Sequence, residues 1–325
     1  MSKKDIEDII WLKDKQKKAM YDDGAKDGAE RLFEVFEKGK VKITTIDDCD
    51  YPKKLKNIYD PPYALYYIGE NVFDNKKIIS VVGARMCDEY GRTYALKIAR
   101  ALAENGCVIV SGMAYGIDAA AHWGALKGCG KTIAVLGNGP DIIYPEKNAL
   151  LYNEIIDNGC AVSEYFPKTA PKPGLFPQRN RIISGLSDAV ILIEAKEKSG
   201  SLITADLALD QGKDIYALPG RVDDALSAGT NALIKQGAGI ITDIESLLKD
   251  LNLDCKSSID KDSPKEKYLE KEELMLYSVL DLHEKNLEII YKEANLEREA
   301  ALNALSSLIK KGYVTECFKN YYRRI

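Results

Sequence analysis

The sequence predicts an α/β fold whose core is a parallel sheet with helices on both faces. From Ile78 to Thr242, short apolar runs alternate with segments of helical periodicity, and runs such as VILIE and TIAVL are almost entirely apolar. Strands that are apolar on both faces are typical of parallel sheets covered on each side. Strands that alternate with helices indicate a doubly wound, Rossmann-like fold. Such sheets bind their ligands at the carboxyl ends of the strands.

The predicted core elements follow one another in chain order. Predicted strands cover Ile78–Val82, Val108–Ser111, Thr132–Leu136, Ala161–Ser163, Ala189–Glu194, Asp214–Leu218 and Gly239–Thr242. Predicted helices cover about Tyr90–Glu104, Asp118–Lys127, Asn148–Asn158, Pro177–Ser187, Ile203–Gln211 and Thr230–Gln236.

The segments on either side of this core have different compositions. Residues 1 to about 45 carry apolar residues at helical spacing, which predicts helices. The Pro- and Tyr-rich stretch from Asp50 to Glu70 predicts extended or turn geometry, and Leu65 and Tyr67 predict a short strand that leads into the core. Residues 251–270 are polar and charged and predict a linker. Beyond them, three helical patterns and a hairpin around Lys319–Asn320 predict a winged helix.

The domain organisation follows from these boundaries. We expect an N-terminal helical domain with its extended lead-in over residues 1–75 and a Rossmann-like domain over 76–250. The linker then occupies 251–270, and the winged-helix domain occupies 271–325.

The composition and charge of the chain limit the classes of function that it can have. The chain of 325 residues carries a net charge of −4, so attraction to a polyanion would require a local basic patch. No apolar run approaches the roughly 20 residues that span a bilayer, and the N-terminus lacks a signal-peptide core, so we expect a cytoplasmic protein. The seven cysteines form no CxxC pair and the two histidines lie far apart, so neither a metal site nor a cofactor is predicted.

Three stretches at predicted strand ends are candidates for binding phosphate. The first is Gly83-Ala84-Arg85, where a small residue lets a ligand approach the backbone and Arg85 can donate two hydrogen bonds to one phosphate. The same residues are compatible with a tight turn that carries a surface arginine.

The second candidate, Ser111 to Leu126, follows the next strand. Gly112 and Gly116 bracket a loop that opens a helix, and the backbone N–H groups of such a start can bind an anion. Asp118 and His122 lie one helical turn apart and could act as an acid and base pair. The favoured interpretation is structural: Asp118 caps the helix and His122 packs against the sheet, because no nucleophile or second carboxylate is close in sequence.

The third candidate is FPQRNRIISG. Pro177 suits the first position of a helix, which places Arg179, Asn180 and Arg181 in its first turn. Arg179 and Arg181 lie about 200° apart around a helix. We therefore expect one to face the ligand and the other to brace the fold. Phe176 could stack on a base.

Ser199-Gly200-Ser201 opens a further helix after the predicted strand Ala189–Glu194. It is interpreted equally well as an anion nest and as a plain helix cap.

Six motifs together identify a resemblance. They closely resemble those of the bacterial DNA-processing protein A family, also called Smf, in their order and spacing over residues 50 to 250. The motifs are VVGAR, GMAYGIDAAAH, TIAVLGNGPDIIYP, FPQRNRIISGLS, EAKEKSGSLITADLAL and ALPGR.

The resemblance implies a single-stranded-DNA-binding protein of competence, natural transformation and DNA recombination, and not an enzyme. Members protect incoming DNA, help load the RecA recombinase onto DNA otherwise covered by single-strand-binding protein, and act as homodimers. By position, Arg85, Phe176, Arg179 and Asn180 would line the DNA pocket. A basic residue precedes the phenylalanine in the family, and Lys172 is the nearest candidate here, although Pro173 and Gly174 interrupt the pattern. The predicted DNA-binding residues are Gly83, Arg85, Gly112, Lys172, Phe176, Arg179, Asn180, Arg181, Ser199 and Gly200.

Two other functions stay open at this point. One is a nucleotide-binding sensor or hydrolase of related fold, although SGSLITAD lacks the PGGxGT-type loop that such hydrolases carry. The other is a duplex-DNA-binding regulator that acts through the winged helix, with its third helix and Arg323-Arg324 on the DNA. The acidic residues Glu293, Glu297 and Glu299 favour a protein-contact role for that module instead.

Overall fold

The structure is a computed structural model that describes residues 41–73, 77–253, 269–280, 284–318 and 320–324. The chain divides into two compact units, residues 1–255 and 256–325. The helices predicted within residues 1–40, and most of the predicted linker, lie outside the described residues. In the part of the chain that is described, no helix is long and apolar enough to cross a membrane.

The first unit is built on one mixed sheet. Within the described residues its nine strands lie in the order β1-β2-β6-β5-β4-β3-β7-β8-β9. Strands β3 to β9 run parallel, as predicted, while β2 pairs antiparallel with both β1 and β6. The strands are β1 Lys42–Thr45, β2 Ala64–Gly69, β3 Ile78–Val82, β4 Val108–Ser111, β5 Thr132–Val135, β6 Gly159–Ser163, β7 Ala189–Leu192, β8 Asp214–Ala217 and β9 Gly239–Ile240.

Helices cover both faces of this sheet. Helices α2 and α3 pack together, and so do α5 and α6. They are α1 Lys53–Lys56, α2 Glu89–Glu104, α3 Ile117–Lys127, α4 Ala149–Asp157, α5 Leu175–Leu186, α6 Gly200–Asp210, α7 Ala228–Lys235 and α8 Ile244–Asp250. Every residue of β3 and β7 is buried, which is what the doubly apolar runs predicted.

The observed elements differ from the predicted ones in several places. The helical prediction to residue 45 is wrong at Lys42–Thr45, which form β1, because the β-branched residues of KITT pair with the edge of β2. Helix α8, Ile244–Asp250, was not predicted. Helix α5 begins at Leu175, two residues before Pro177, so Arg179 lies in the second turn. Proline is tolerated in the first turn because its missing N–H group would have no partner there.

The second unit combines helices and a small sheet. In its described residues these are α9 Lys271–Val279, α10 Leu287–Glu293 and α11 Arg298–Lys310, with β10 Lys285–Asn286, β11 Val314–Phe318 and β12 Tyr321–Arg324. The three strands form a sheet in the order β10-β12-β11. Its own apolar core includes Leu276, Leu287, Ile290, Leu305, Leu308 and Val314.

The strand order reverses between β3 and β7. The chain moves from β3 to β4 on one side, and it enters β7 on the other side of β3 before moving away to β8. Two neighbouring strands whose following segments diverge leave a crevice at their carboxyl ends. Gly83 follows β3, and the segment after β7 leads to α6. The crevice therefore lies next to stretches that the sequence predicts to bind phosphate.

Candidate functional site

A cavity of about 480 Å³ opens at the carboxyl ends of β3 and β7. Segments from five parts of the first unit form its wall: the turn after β3, the start of α3, the start of α5, the segment between β7 and α6, and Leu226. The predicted site residues that line it are Gly83, Arg85, Phe176, Arg179, Asn180, Ser199 and Gly200.

The wall of this cavity is basic. Arg85, Arg179, Lys196 and Lys198 line it against one carboxylate, Asp118. Four cations and one anion give a local charge of about +3 at neutral pH, in a chain whose net charge is −4. The patch is therefore local, and it favours an anionic ligand despite the acidic chain.

Arg179 forms the buried part of the basic wall. Its side chain is only 4% exposed, and its Nη1 donates to the Gly112 carbonyl at 3.0 Å and to the Val135 carbonyl. The Nε atom has no hydrogen-bond partner among the described residues. Arg179 thus ties the carboxyl ends of β4 and β5 to α5.

Asp118 and Arg179 balance each other electrostatically. Burial raises the pKa of the Asp118 carboxyl, and the Arg179 charge opposes that increase. Burial lowers the pKa of Arg179 to about 10, so the guanidinium stays charged at neutral pH. A charge buried in a low-dielectric site costs free energy unless an opposite charge compensates it. Asp118 and Arg179 therefore each lower the cost of burying the other.

Two glycines let the loops around the cavity approach each other. A Cβ on Gly112 would lie 2.5 Å from both terminal nitrogens of Arg179, so only glycine leaves room for the guanidinium there. Gly116 has a φ of +74°, and a Cβ on it would lie 2.4 Å from the Ala84 carbonyl oxygen. These contacts fix the turn that presents Arg85.

Phe176 lies between two other groups at the rim. Its ring stacks on that of Tyr144 with centroids 5.6 Å apart, and the Arg85 Cζ atom lies 5.5 Å from the Phe176 centroid. A Cβ on Gly137 would lie 2.7 Å from the same ring, so Gly137 makes space for it. An aromatic ring next to an exposed cation can stack on a base while the cation binds the adjacent phosphate.

The start of α6 forms the remaining wall. Ser199 caps the helix by accepting from the Ser201 N–H at 3.3 Å, and the Asn180 side chain donates to the Gly200 carbonyl at 3.3 Å. Helix N-termini favour anions because their first N–H groups point outward. Asn180 therefore holds α5 against the end of α6 that faces the cavity.

Three predicted residues lie elsewhere. Gly112 is buried beneath Arg179 instead of lining the cavity, for the steric reason given above. Lys172 is exposed and does not line the cavity, because it precedes α5 in the loop. Arg181 points to a different depression, where it pairs with Asp60 at 3.0 Å and with Glu164. The wide separation of Arg179 and Arg181 around α5 explains why only one reaches the cavity.

Two basic residues of the cavity were missed. Lys196 and Lys198 are exposed and follow β7, the strand next to β3. They belong to the EAKEKSGS motif, of which only Ser199 and Gly200 are predicted to bind DNA. Their signal was available, since residues after neighbouring parallel strands meet at one edge of the sheet.

The structure gives His122 a packing role. Its Nδ1 lies 2.6 Å from the Thr132 hydroxyl, and burial lowers its pKa to about 3, so the ring is neutral. This agrees with the structural interpretation of His122, but Asp118 accepts from the Ala114 N–H and does not cap α3, so that part of the interpretation is wrong. Among the described residues, no group of three His, Cys, Asp or Glu side chains could hold a metal ion.

Glu194 lies two residues after β7, and its side chain contacts the start of α2. Its side chain is 2% exposed, and its Oε2 accepts from the Asp88 N–H at 3.3 Å. Burial, and then a hydrogen bond with the Asp88 carboxyl, raise the pKa of Glu194 to about 8. A protonated Glu194 can donate to Asp88, and ionisation replaces that bond with repulsion.

The raised pKa of Glu194 predicts a loss of stability with increasing pH. The folded chain binds this proton more tightly than the unfolded chain does, so its contribution is complete below the ordinary glutamate range and is lost as pH rises to about 8. The amide in Glu194→Gln donates at every pH. We expect Glu194→Gln to unfold with a free energy about 2 kcal/mol higher than wild type at about pH 8.5, with little difference at about pH 5.

Denaturant unfolding at both pH values measures this effect. The exposed Glu197, three residues further along the same segment, provides a matched control, and Glu197→Gln should leave stability unchanged at both pH values. An equal effect of Glu194→Gln at the two pH values would contradict the assignment of the pH dependence to this carboxyl.

Comparison with known proteins agrees with this geometry. The family model described as DNA recombination-mediator protein A matches residues 42–252. The chain is 45% identical to the DNA processing protein DprA of Streptococcus pneumoniae over 206 residues, which cover 63% of this chain and 72% of that protein. It is 39% identical to the DNA processing protein DprA of Bacillus subtilis over 222 residues, which cover 68% of this chain and 75% of that protein.

Solved structures show the same core. The crystal structure of DNA processing protein A from Streptococcus pneumoniae aligns with a TM-score of 0.62 and 43% identity, over 65% of this chain and 75% of that one. DNA processing protein A from Helicobacter pylori, whose single-stranded DNA binding mode has been described structurally, aligns with a TM-score of 0.60 and 36% identity, over 65% of this chain and 96% of that one.

Proposed function

Because the chain belongs to the DNA recombination-mediator protein A family, we propose that it binds single-stranded DNA in the cavity at the carboxyl ends of β3 and β7. The observation that carries the proposal is the local charge. Four cations and a half-buried aromatic ring surround one opening in a chain whose net charge is −4. The description of single-stranded DNA binding in the Helicobacter pylori relative supports the choice of ligand.

The cavity suits a ligand that is gripped through its backbone. Arg85, Lys196 and Lys198 are exposed and can follow a phosphate chain, while the start of α6 offers N–H groups to one phosphate. Phe176 offers a stacking face that every base can use. Neither contact reads a base edge, so we expect binding that tolerates any sequence.

We propose that the protein acts by binding and not by catalysis. The cavity carboxylate, Asp118, is buried next to a cation, and the neutral His122 bonds to Thr132. These two groups serve the fold. The alternative of a nucleotide hydrolase predicts release of base or phosphate from free nucleoside monophosphates, and we expect none.

The biological role that we propose follows from the family. The chain would protect incoming single strands in the cytoplasm during natural transformation and recombination. It would also help load the RecA recombinase onto strands that single-strand-binding protein covers, acting as a homodimer. The matched family is described as a recombination mediator, and the matched relatives are named as DNA processing proteins, which supports this role.

The second unit is proposed to be a winged helix that contacts protein. Its three described helices and its antiparallel three-stranded sheet support this proposal. The Arg324 guanidinium lies 3.8 Å from the Tyr277 ring centroid and donates to the Tyr277 carbonyl, so one of the two wing arginines is already held within the unit. This observation favours protein contact over a duplex-binding regulator. The predicted domain boundaries at residues 76, 251 and 271 belong to the same proposal.

A salt titration of the full chain tests DNA binding. With about three phosphates neutralised, the slope of log K against log salt should be about −2 for a single strand, so affinity falls about 16-fold between about 50 and 200 mM salt. We expect a single strand to bind at least about tenfold more tightly than the duplex of the same sequence, since only unpaired bases can stack on Phe176. Equal affinity for the duplex would contradict the proposal.

A further inference from the structure

A second cavity begins where the first one ends. Its volume is about 550 Å³, it lies between α2 and α3, and Arg85 and Met86 border both cavities. We propose that this cavity, the α2–α3 groove, binds the continuation of the strand that the first cavity holds. The inference rests on the proposed function, because it extends the same DNA path past Arg85.

The charge of the α2–α3 groove matches a phosphate chain. Its lining contains three cations, Arg85, Arg92 and Lys127, and no Asp or Glu among the described residues. Arg92 and Lys127 are exposed, and neither forms an ion pair with a described residue. Cations without carboxylate partners remain available to neutralise phosphates.

Aromatic side chains alternate with these cations. Tyr115 is 42% exposed and Trp123 is half-buried, and both line the groove. Trp123 and Lys127 lie one turn apart on α3, and Tyr115 lies in the turn that precedes the helix, so all three border the groove. Rings beside cations form a binding surface for successive bases and phosphates, with stacking worth about 1–3 kcal/mol per base.

The packing of α2 and α3 keeps the groove open. Helix α3 presents Gly116, Ala119 and Ala120 to the groove, and these small residues leave room above Leu96 of α2. The helices approach each other closely at Gly124, where a Cβ would lie 2.4 Å from the Leu96 carbonyl oxygen. The eleven residues of α3 extend about 16 Å. That length exceeds the axial rise per nucleotide of one strand, about 3.4 Å when bases are stacked, several times over.

The dependence of affinity on oligonucleotide length tests the groove. Oligothymidylates of about 4 and about 12 nucleotides are titrated against the full chain and against Arg92→Ala combined with Lys127→Ala. The short ligand fits the first cavity, so the double variant should bind it as wild type does. For the long ligand we expect an affinity loss of about tenfold or more and a salt slope shallower by about 1.4, which is about 0.7 for each lost phosphate contact.

A control variant removes the same two types of side chain from positions outside the groove. Lys97→Ala combined with Arg100→Ala takes one lysine and one arginine from exposed positions of α2 that line neither cavity. This variant should bind both ligands as wild type does. The groove proposal is wrong if the control variant loses as much affinity for the long ligand as the test variant does. It is also wrong if the test variant binds the long ligand as wild type does. Failure of wild type to bind even the short ligand would overturn the proposed function itself.

Discussion

The substitution Arg179→Met is expected to lower the free energy of unfolding by about 3–5 kcal/mol. Arg179 is buried, and its Nη1 donates to the carbonyls of Gly112 and Val135. Methionine fills much of the volume but donates nothing, so both carbonyls lose a partner and the buried Asp118 loses its compensating cation. Denaturant unfolding of the full chain, followed by near-UV circular dichroism, measures the loss.

Two further variants show whether the cost comes from charge. Arg221 is 82% exposed, so Arg221→Met should change stability by less than about 0.5 kcal/mol. Adding Asp118→Asn to Arg179→Met should restore part of the loss, because the buried carboxylate is removed with its partner. If the double variant is less stable than the sum of its single substitutions implies, the electrostatic explanation is wrong and packing alone carries the effect.

The sequence predicted the elements of the core better than the contacts at its edge. Runs such as TIAVL are recognisable alone, because a strand buried on both faces must be apolar on both faces. The edge strand Lys42–Thr45 has only four residues and depends on pairing with β2, a contact that the local sequence does not reveal. A local pattern therefore favoured a helix there.

The residues of the candidate site also differ in whether the local sequence alone predicts them. Arg85 and Phe176 belong to compact motifs, and the strand order brings these motifs together. Lys196 and Lys198 lie in a charged loop that resembles any solvated loop until β7 is known to neighbour β3. Arg179 points inward because a glycine 67 residues earlier leaves space for it. No spacing along α5 contains that information.

The substitution Arg85→Ala is expected to weaken binding of single-stranded DNA by about 10–100-fold. A hydrogen bond to a charged group contributes about 1.5–3 kcal/mol, and Arg85 is an exposed cation that borders both cavities. The loss of one phosphate contact should also make the salt slope shallower by about 0.7. Titration of an oligothymidylate at several salt concentrations measures both quantities.

The chain contains a close counterpart of Arg85 for comparison. Arg221 follows Gly220 after β8, much as Arg85 follows Gly83 and Ala84 after β3, but it lies outside the cavity lining and pairs with Asp223. Arg221→Ala should therefore leave affinity and salt slope unchanged. Arg85→Lys should recover the slope but only part of the affinity, since lysine restores the charge and not the two-pronged contact. Equal losses for Arg85→Ala and Arg221→Ala would mean that net charge drives binding, and that the cavity between β3 and β7 does not select the strand.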